Sequence, residues 1–503
     1  MVAQVQNFVN GEWRPASDGG TFASVNPANE CLVARVAAGT AADVAAAVAA
    51  ARAAFPAWRR TPAPARGEIL FRAAQLLSER KEELSRLLTR EMGKVISEAR
   101  GDVQEAIDMA WYMGGEGRRL FGHTAPVEMP DKFGMALREA VGVVGLITPW
   151  NFPVAVPSWK LFPALVAGNT VVLKPAEDAP ATAALFVQIC AEAGLPPGVL
   201  NLVCGAGETG AALVAHPDVR VISFTGSTET GLQVYERAAR LGKKVSLEMG
   251  GKNAIIVLED ADLELAAQAI TWSAFGTTGQ RCTAASRLIV QRGVHKQLAE
   301  ALVEKARSLK LGDGLDESVD VGPLVNEAAL CKVERYMGIA RQEGAGMLIG
   351  GARADLGQGW FFEPTLLDGV TRDMRVAREE IFGPVLALMT VDSMSEAIEL
   401  NNEVRYGLSS SIFTRDVNRA FNAMRDLASG IVYINHGTSG AEIQFPFGGI
   451  RETGNGMREA GQAGLDSFTE WKTVYVDYSG RLQRAQIDTE DLLAETAADE
   501  RDS

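Results

Sequence analysis

The stretch GTTGQRCTAAS, residues 276–286, holds a single cysteine, Cys282, in a glycine- and threonine-rich loop just ahead of the apolar run SRLIV. A packing cysteine more often sits inside a periodic apolar run, as Cys190 does in FVQICAEAG. Cys282 therefore reads as a small core group or as a nucleophile, and its loop favours the second. A histidine base is the usual way to activate such a thiol, but His123, His216, His295 and His436 lie in contexts that offer none. Carboxylates serve better. In SLEMGGKN, Glu248 ends a strand and two glycines follow, which allow close backbone approach and leave the carboxylate reachable; the alternative is a surface glutamate. In PWNFP, residues 149–153, Asn151 lies among prolines and aromatics. It is either part of a rigid turn or an amide that donates to an oxyanion without any protonation equilibrium.

A second set of residues suits phosphate and ribose. In FTGSTETG, residues 224–231, a strand ends at Thr225-Gly226-Ser227 and a helix begins. The free N–H groups of that first turn hold a pyrophosphate, or Ser227 is an ordinary helix cap. LKPAED places Lys174 and Glu177 at another strand end, where they reach ribose hydroxyls or line a solvated loop. CGAGETG matches G-x-G-x-x-G at Gly205, Gly207 and Gly210, but it lies deep in the chain rather than at a first crossover.

The elements that must position these groups follow from periodicity. FVNGEW has Asn10-Gly11 between apolar residues, a type I′ hairpin signal. From about 41 to 115 the pattern is helical, starting with an alanine-rich helix expected to stop at Pro56. Short β-branched runs (GVVGLI, NTVVLK, VLNLV, RVISF, AIIVL) then alternate with helical segments, and a second such set runs from SRLIVQ to GIVYIN. Strand alternating with helix predicts parallel sheets built from right-handed crossovers, hence an α/β fold with two α/β units in series. FGMALREAVG and FTEWKTVYVDYS read as detached strands suited to an interface, and residues 481–503 as an acidic polar tail expected to be poorly ordered.

Composition narrows the chemistry. The chain has 503 residues, 47% of them apolar, and a formal charge of −14, which leaves no footprint for nucleic acid. No apolar stretch approaches the ~20 residues that span a bilayer, and a cytoplasmic location is expected. Five cysteines with no C-x-x-C spacing and four scattered histidines point to reduced thiols and no metal centre.

Cys282 lies 34 residues after Glu248, and PWNFP, KPAE, FTGST, EMGGKN, GQRC, EEIFGP and PFGG follow in that order. In these motifs the chain resembles the aldehyde dehydrogenase superfamily, from NFVNGEW to EWKTVYVDYS. The resemblance implies two Rossmann-like α/β domains and a small β arm. Residues 1–122 and 143–249 would form the NAD-binding domain, 250–445 the thiol domain, and 123–142 with 464–480 an arm that joins copies into a homodimer or homotetramer. It implies that Cys282 attacks an aldehyde, that Asn151 and the Cys282 N–H hold the oxyanion, and that Glu248 activates water against the thioester. Lys160 resembles a lysine near the cofactor ribose that is sometimes assigned to a proton relay. Cofactor contacts carry over to Ile147, Trp150, Lys174, Glu177, Gly207, Gly226, Ser227, Glu380 and Phe382. A carboxylate at Glu177 would repel a 2′-phosphate, so NAD is expected over NADP.

The GQRC, VQE and TSGAE pieces resemble α-aminoadipic semialdehyde dehydrogenases, and EIQFPFGG is closer to the α-ketoglutaric semialdehyde branch. The substrate is thus expected to carry a distal carboxylate, with Arg281 as its ionic partner. The alternative is that Arg281 pairs with a neighbouring carboxylate and only shapes the loop. Glu105, Met109, Phe152, Ser439 and Phe447 are expected to complete the substrate wall. A broad-specificity aldehyde dehydrogenase, a coenzyme-A-acylating relative, a thiol hydrolase and a non-catalytic protein are the other readings.

Overall fold

The computed structural model describes residues 3–488. A seven-stranded sheet runs from edge to edge as Lys244–Glu248, Val219–Thr225, Val143–Ile147, Thr170–Lys174, Leu200–Leu202, Asn7–Val9 and Glu12–Arg14. Its first five strands are parallel and the last two form an antiparallel hairpin. Helices cover the parallel strands, so Val143–Ile147 and Thr170–Lys174 are buried at every position and read as continuous apolar runs rather than alternating ones. The hairpin turns at Asn10 and Gly11, both in the left-handed region at φ 54° and 83°, as the type I′ signal requires.

A second seven-stranded sheet has the order Gly346–Ile349, Thr365–Asp368, Val385–Val391, Ala285–Gln291, Asn253–Val257, Ser409–Phe413 and Ile431–Ile434, parallel except at Gly346–Ile349. AIIVL, which the sequence pattern groups with the first set of strands, lies in this second sheet, because Asn253–Val257 pairs with Ala285–Gln291 and Ser409–Phe413. His123–Ala125, Lys132–Ala140 and Thr469–Asp477 form a separate antiparallel sheet, and Ala3–Val5, Leu32–Ala37 and Thr21–Val25 another.

Two local expectations are corrected. The first helix, Ala41–Trp58, runs through Pro56. Only its last turn follows, so the i→i−4 bond that proline removes is lost near the helix end and little helix is left beyond it. In the expected tail, residues 481–488 pack back on the arm, with Gln483 Nε2 donating to Pro130 O at 2.8 Å and Arg484 paired to Asp488. Residues 489–503 lie outside the described residues.

The two sheets meet where the chemistry is. Ile147, Lys174, Thr225 and Glu248 all end parallel strands of the first sheet, the edge at which open α/β sheets bind ligands, and Thr225 sits beside Glu248 in register. Cys282 precedes Ala285–Gln291 of the second sheet. Between the two runs the helix Ile96–Glu116, whose Asp102 is fully buried and paired to the equally buried Lys94 at 2.8 Å. Asp102 Oδ1 also accepts from Ala155 N at 2.7 Å, at the start of the helix Ala155–Ala167, which fixes the residues 149–153 before it. Removing one partner of such a pair strands the other charge in a low dielectric. Asp102→Ala should lower the unfolding free energy by about 3–5 kcal/mol, read as a fall in the urea midpoint.

Candidate active site

Cys282 follows a short 3-10 turn, Gly276–Gly279, in which Thr277 and Thr278 adopt φ 50° and 57°. β-branched residues seldom occupy this left-handed region, so something must hold them there. Glu98, on the Ile96–Glu116 helix, does so: its carboxylate accepts Thr277 N at 2.9 Å, Thr277 Oγ1 at 2.8 Å and Arg281 Nη2 at 2.8 Å. Thr278 Oγ1 donates to Gly322 O at 2.9 Å. Gly279 is required at φ 68°, where a Cβ would meet Gly383 O at 2.2 Å. On the other side of the thiol, Asn253 Nδ2 donates to Cys282 O at 2.7 Å and Ala284 O at 2.9 Å, and Asn253 Oδ1 accepts Ser409 N at 3.0 Å.

A cavity of about 440 Å³ gathers Cys282 with Glu248, Glu105, Phe152, Ser439 and Phe447. Glu248 is 3% exposed and neither carboxylate oxygen has a hydrogen-bond partner among the described residues. Room for it is left by Gly448, at φ 145°, where a Cβ would stand 2.4 Å from Glu248 Oε1. Burial, and then the nearby Glu459, hold the Glu248 carboxyl well above the usual range, with Lys160 and Arg458 opposing. Burial likewise pushes the Cys282 thiol up to about 12, Glu248 and Glu380 adding to it. Burial thus biases both groups towards their protonated forms. Asn151 is buried and its Nδ2 donates to Gln280 O at 2.9 Å, next to the thiol loop, which leaves its second amide hydrogen for a ligand.

Three expectations change. Met109 is fully buried in the apolar core and does not line the cavity: Glu98, Asp102 and Glu105 face it from successive turns, and one turn further on the helix has passed beneath it. Arg281 lines the cavity but is already paired with Glu98, bonded to Thr277 Oγ1 at 2.9 Å and stacked 4.4 Å over Trp272. So placed it shapes the loop, and among the described residues no bond is made by Nη1. Lys160 lies away from the ribose cleft, fully buried, bonded to Glu459 and to Ser223 Oγ at 2.9 Å.

A neighbouring cleft of about 870 Å³ is lined by Ile147, Trp150, Lys174, Glu177, Gly207 and Ser227, with Gly226 among them. Ser227 caps the helix Thr228–Arg240, so the first-turn N–H groups and helix dipole face this cleft. Gly207 leaves open space where a Cβ would stand, and Lys174 Nζ lies 3.4 Å from Glu177. A cleft of this volume with a helix N-terminus and a Lys–Glu pair fits a dinucleotide. Glu380 accepts Gly251 N at 3.0 Å on a polar cavity that shares Ser227, and Phe382, at φ 60°, sets its ring edge-on to Trp150 at 5.6 Å. Among the described residues no group of three or more His, Cys, Asp or Glu is placed to hold a metal ion.

Sequence reasoning passed over Glu98, Asn253, Glu459 and the Lys94–Asp102 pair. Glu98, Asp102 and Glu105, spaced four and three apart, give a legible signal of one acidic helix face. Nothing in the sequence says what that face meets.

Residues 13–474 match the aldehyde dehydrogenase family. The chain is 44% identical over 475 residues to the α-ketoglutaric semialdehyde dehydrogenase of Bacillus subtilis (strain 168), covering 93% of this chain and 97% of that one. It is 44% identical over 486 residues to the α-ketoglutarate semialdehyde dehydrogenase of Haloferax volcanii, covering 95% and 100%. Among solved structures, the NAD-dependent aldehyde dehydrogenase of Sinorhizobium meliloti superposes with a TM-score of 0.93 at 39% identity, covering 97% of each chain. A betaine aldehyde dehydrogenase of Staphylococcus aureus in complex with NAD+ does so at 0.93 and 35%, covering 95% of this chain and 96% of that one.

The raised thiol pKa is directly measurable. In the cofactor-free protein, iodoacetamide should alkylate Cys282 more slowly at pH 8 than the exposed Cys31 and Cys331, with a rate still climbing at pH 10, as followed peptide by peptide in a mass spectrometer.

Proposed function

The chain belongs to the aldehyde dehydrogenase family, and we propose that it oxidises a carboxylate-bearing semialdehyde of the α-ketoglutaric or α-aminoadipic type to the acid, with NAD. The observation that carries this reading is the cavity that brings the Cys282 thiol and the unpartnered Glu248 carboxyl together beside a dinucleotide-shaped cleft. Cys282 Sγ, its proton taken by an ionised Glu248 and passed on to solvent, attacks the aldehyde carbon, and the Asn151 amide with the Cys282 N–H receives the oxyanion. NAD, when bound, supplies the hydride acceptor and a cationic ring whose charge favours the thiolate. Loss of hydride from the thiohemiacetal carbon leaves a thioester on Cys282. Glu248, once ionised, takes a proton from water, whose oxygen displaces the thiolate and releases the acid. Lys160, through Glu459, offers that proton a way out of the buried site.

In the cleft, Lys174 and Glu177 would hold the adenosine ribose, Ser227 the pyrophosphate and Glu380 the nicotinamide ribose. Glu177 is half-exposed on the cleft wall, and its charge argues for NAD over NADP.

Two observations favour an anionic over a cationic aldehyde. Two of the four aromatic side chains on the cavity wall already face the protein's own cations, Lys94 Nζ standing 3.6 Å over Phe152 and Arg281 4.4 Å over Trp272, which leaves Trp159 and Phe447 for an onium group. The relatives from Bacillus subtilis and Haloferax volcanii are both named for α-ketoglutaric semialdehyde. The test is NADH formation across neutral, cationic and carboxylated aldehydes, with NAD and NADP in parallel. A carboxylated semialdehyde with NAD should give the highest kcat/KM and Cys282→Ala should give none; a cationic aldehyde in first place would overturn the substrate class.

No helix among the described residues is long and apolar enough to cross a membrane, and a cytoplasmic enzyme is the reading we adopt. Assembly into a homodimer or homotetramer is supported by two open edges. Thr469–Asp477 is an edge strand that exposes Trp471, Tyr475 and Val476, and Ile431–Ile434 is an edge of the second sheet. Light scattering should give a multiple of the monomer mass, and Val476→Pro, which cannot donate along the edge, should lower it.

A further inference from the structure

We propose that Glu105 reads the substrate's distal carboxylate as a neutral carboxyl, donating an O–H hydrogen bond, and so sets the charge class of aldehyde the cavity accepts. This rests on the semialdehyde reading above and names the group that carries it out.

The acidic groups of the cavity wall are otherwise spoken for. Glu98 serves Thr277 and Arg281, Asp102 serves Lys94 and Ala155 N, Glu459 holds Lys160, and Glu248 stands by the thiol. Glu105 lines the same cavity and makes no hydrogen bond or ion pair with the described residues. A carboxyl placed so pays for ionisation with desolvation, and no partner returns the cost. The charges around it come from several elements: Asp102 and Asp108 on its own helix, Lys94 before that helix, Arg281 on the thiol loop and Tyr433 on Ile431–Ile434. Burial dominates and Asp102 adds to it, against Lys94 and Arg281, so that Glu105 titrates at about 8. Below that pH it is an O–H donor, above it a repelling charge. Arg281 Nη1, which carries no bond among the described residues, is within electrostatic reach of Glu105 as a second donor.

The test compares succinic semialdehyde, butanal and betaine aldehyde between pH 6.5 and 9 in the wild-type protein, Glu105→Gln and Glu105→Ala. For succinic semialdehyde the wild-type KM should rise about tenfold or more as pH passes through about 8, while that of butanal stays level. Glu105→Gln, whose amide still donates, should keep a low KM and lose the pH dependence. Glu105→Ala should lose about tenfold in KM for succinic semialdehyde alone, with butanal turnover as its control for folding. A Glu105→Gln profile identical to wild type would overturn the proposal. So would a wild-type KM for betaine aldehyde that falls with pH while that for succinic semialdehyde stays level, since Glu105 would then be reading a cation as an anion. Succinate affinity, measured by calorimetry on the NAD-bound protein, needs no turnover and should weaken over the same range. Absence of oxidation of every aldehyde would count against the functional reading, whereas level succinate affinity would count against Glu105.

Discussion

The Glu98 carboxylate is the tie on which the site depends. Two consecutive threonines in the left-handed region cost about 1–3 kcal/mol each, and a loop bearing that strain would relax and carry Cys282 away with it. Three charge-assisted bonds, each worth about 1.5–3 kcal/mol, offset the strain. Because Glu98 lies on a helix that packs with the first sheet's helices while the loop feeds the second sheet, the same carboxylate couples thiol position to the seating of one unit on the other. Arg281 is part of this tie, so its charge is already balanced by Glu98 before a ligand arrives.

Around that tie the cavity balances its charge by pairing and by protonation. Lys94 with Asp102, Arg281 with Glu98 and Lys160 with Glu459 are each neutral as pairs, and burial raises the pKa of Glu105, Glu248 and Cys282. A site so balanced offers neutral donors in place of a fixed cationic trap, and binding one charged group can shift the protonation of the next. Burial biases Cys282 and Glu248 alike towards their protonated forms.

Much of this was legible in the sequence, and the reasons are local. Cys282, Glu248 and Ser227 each sit at a strand end or loop with its own glycine or cap signal, and such signals survive without knowledge of the fold. The two α/β units and the arm strands follow from period and β-branching. What failed involved distance. Arg281 and Glu98 are 183 positions apart, so the pairing that occupies Arg281 is invisible to spacing. Met109 shares a helix with Glu105, but helical period cannot tell which turn still borders a cavity and which has entered the core. Resemblance sets Lys160 near the ribose, whereas the carboxylate it bonds, Glu459, is 299 positions away and invisible to spacing.

The path of the chain gives the site a timetable. Thr469–Asp477 pairs along its length with Lys132–Ala140, and the walls around Glu248 come from Gly448, Gly454 and Glu459. On a ribosome, Cys282 and Glu248 emerge long before the segment that closes over them. The nascent chain can form much of both sheets and still lack an enclosed pocket around Cys282, so the cavity closes only once residues 448–477 have emerged rather than growing with length.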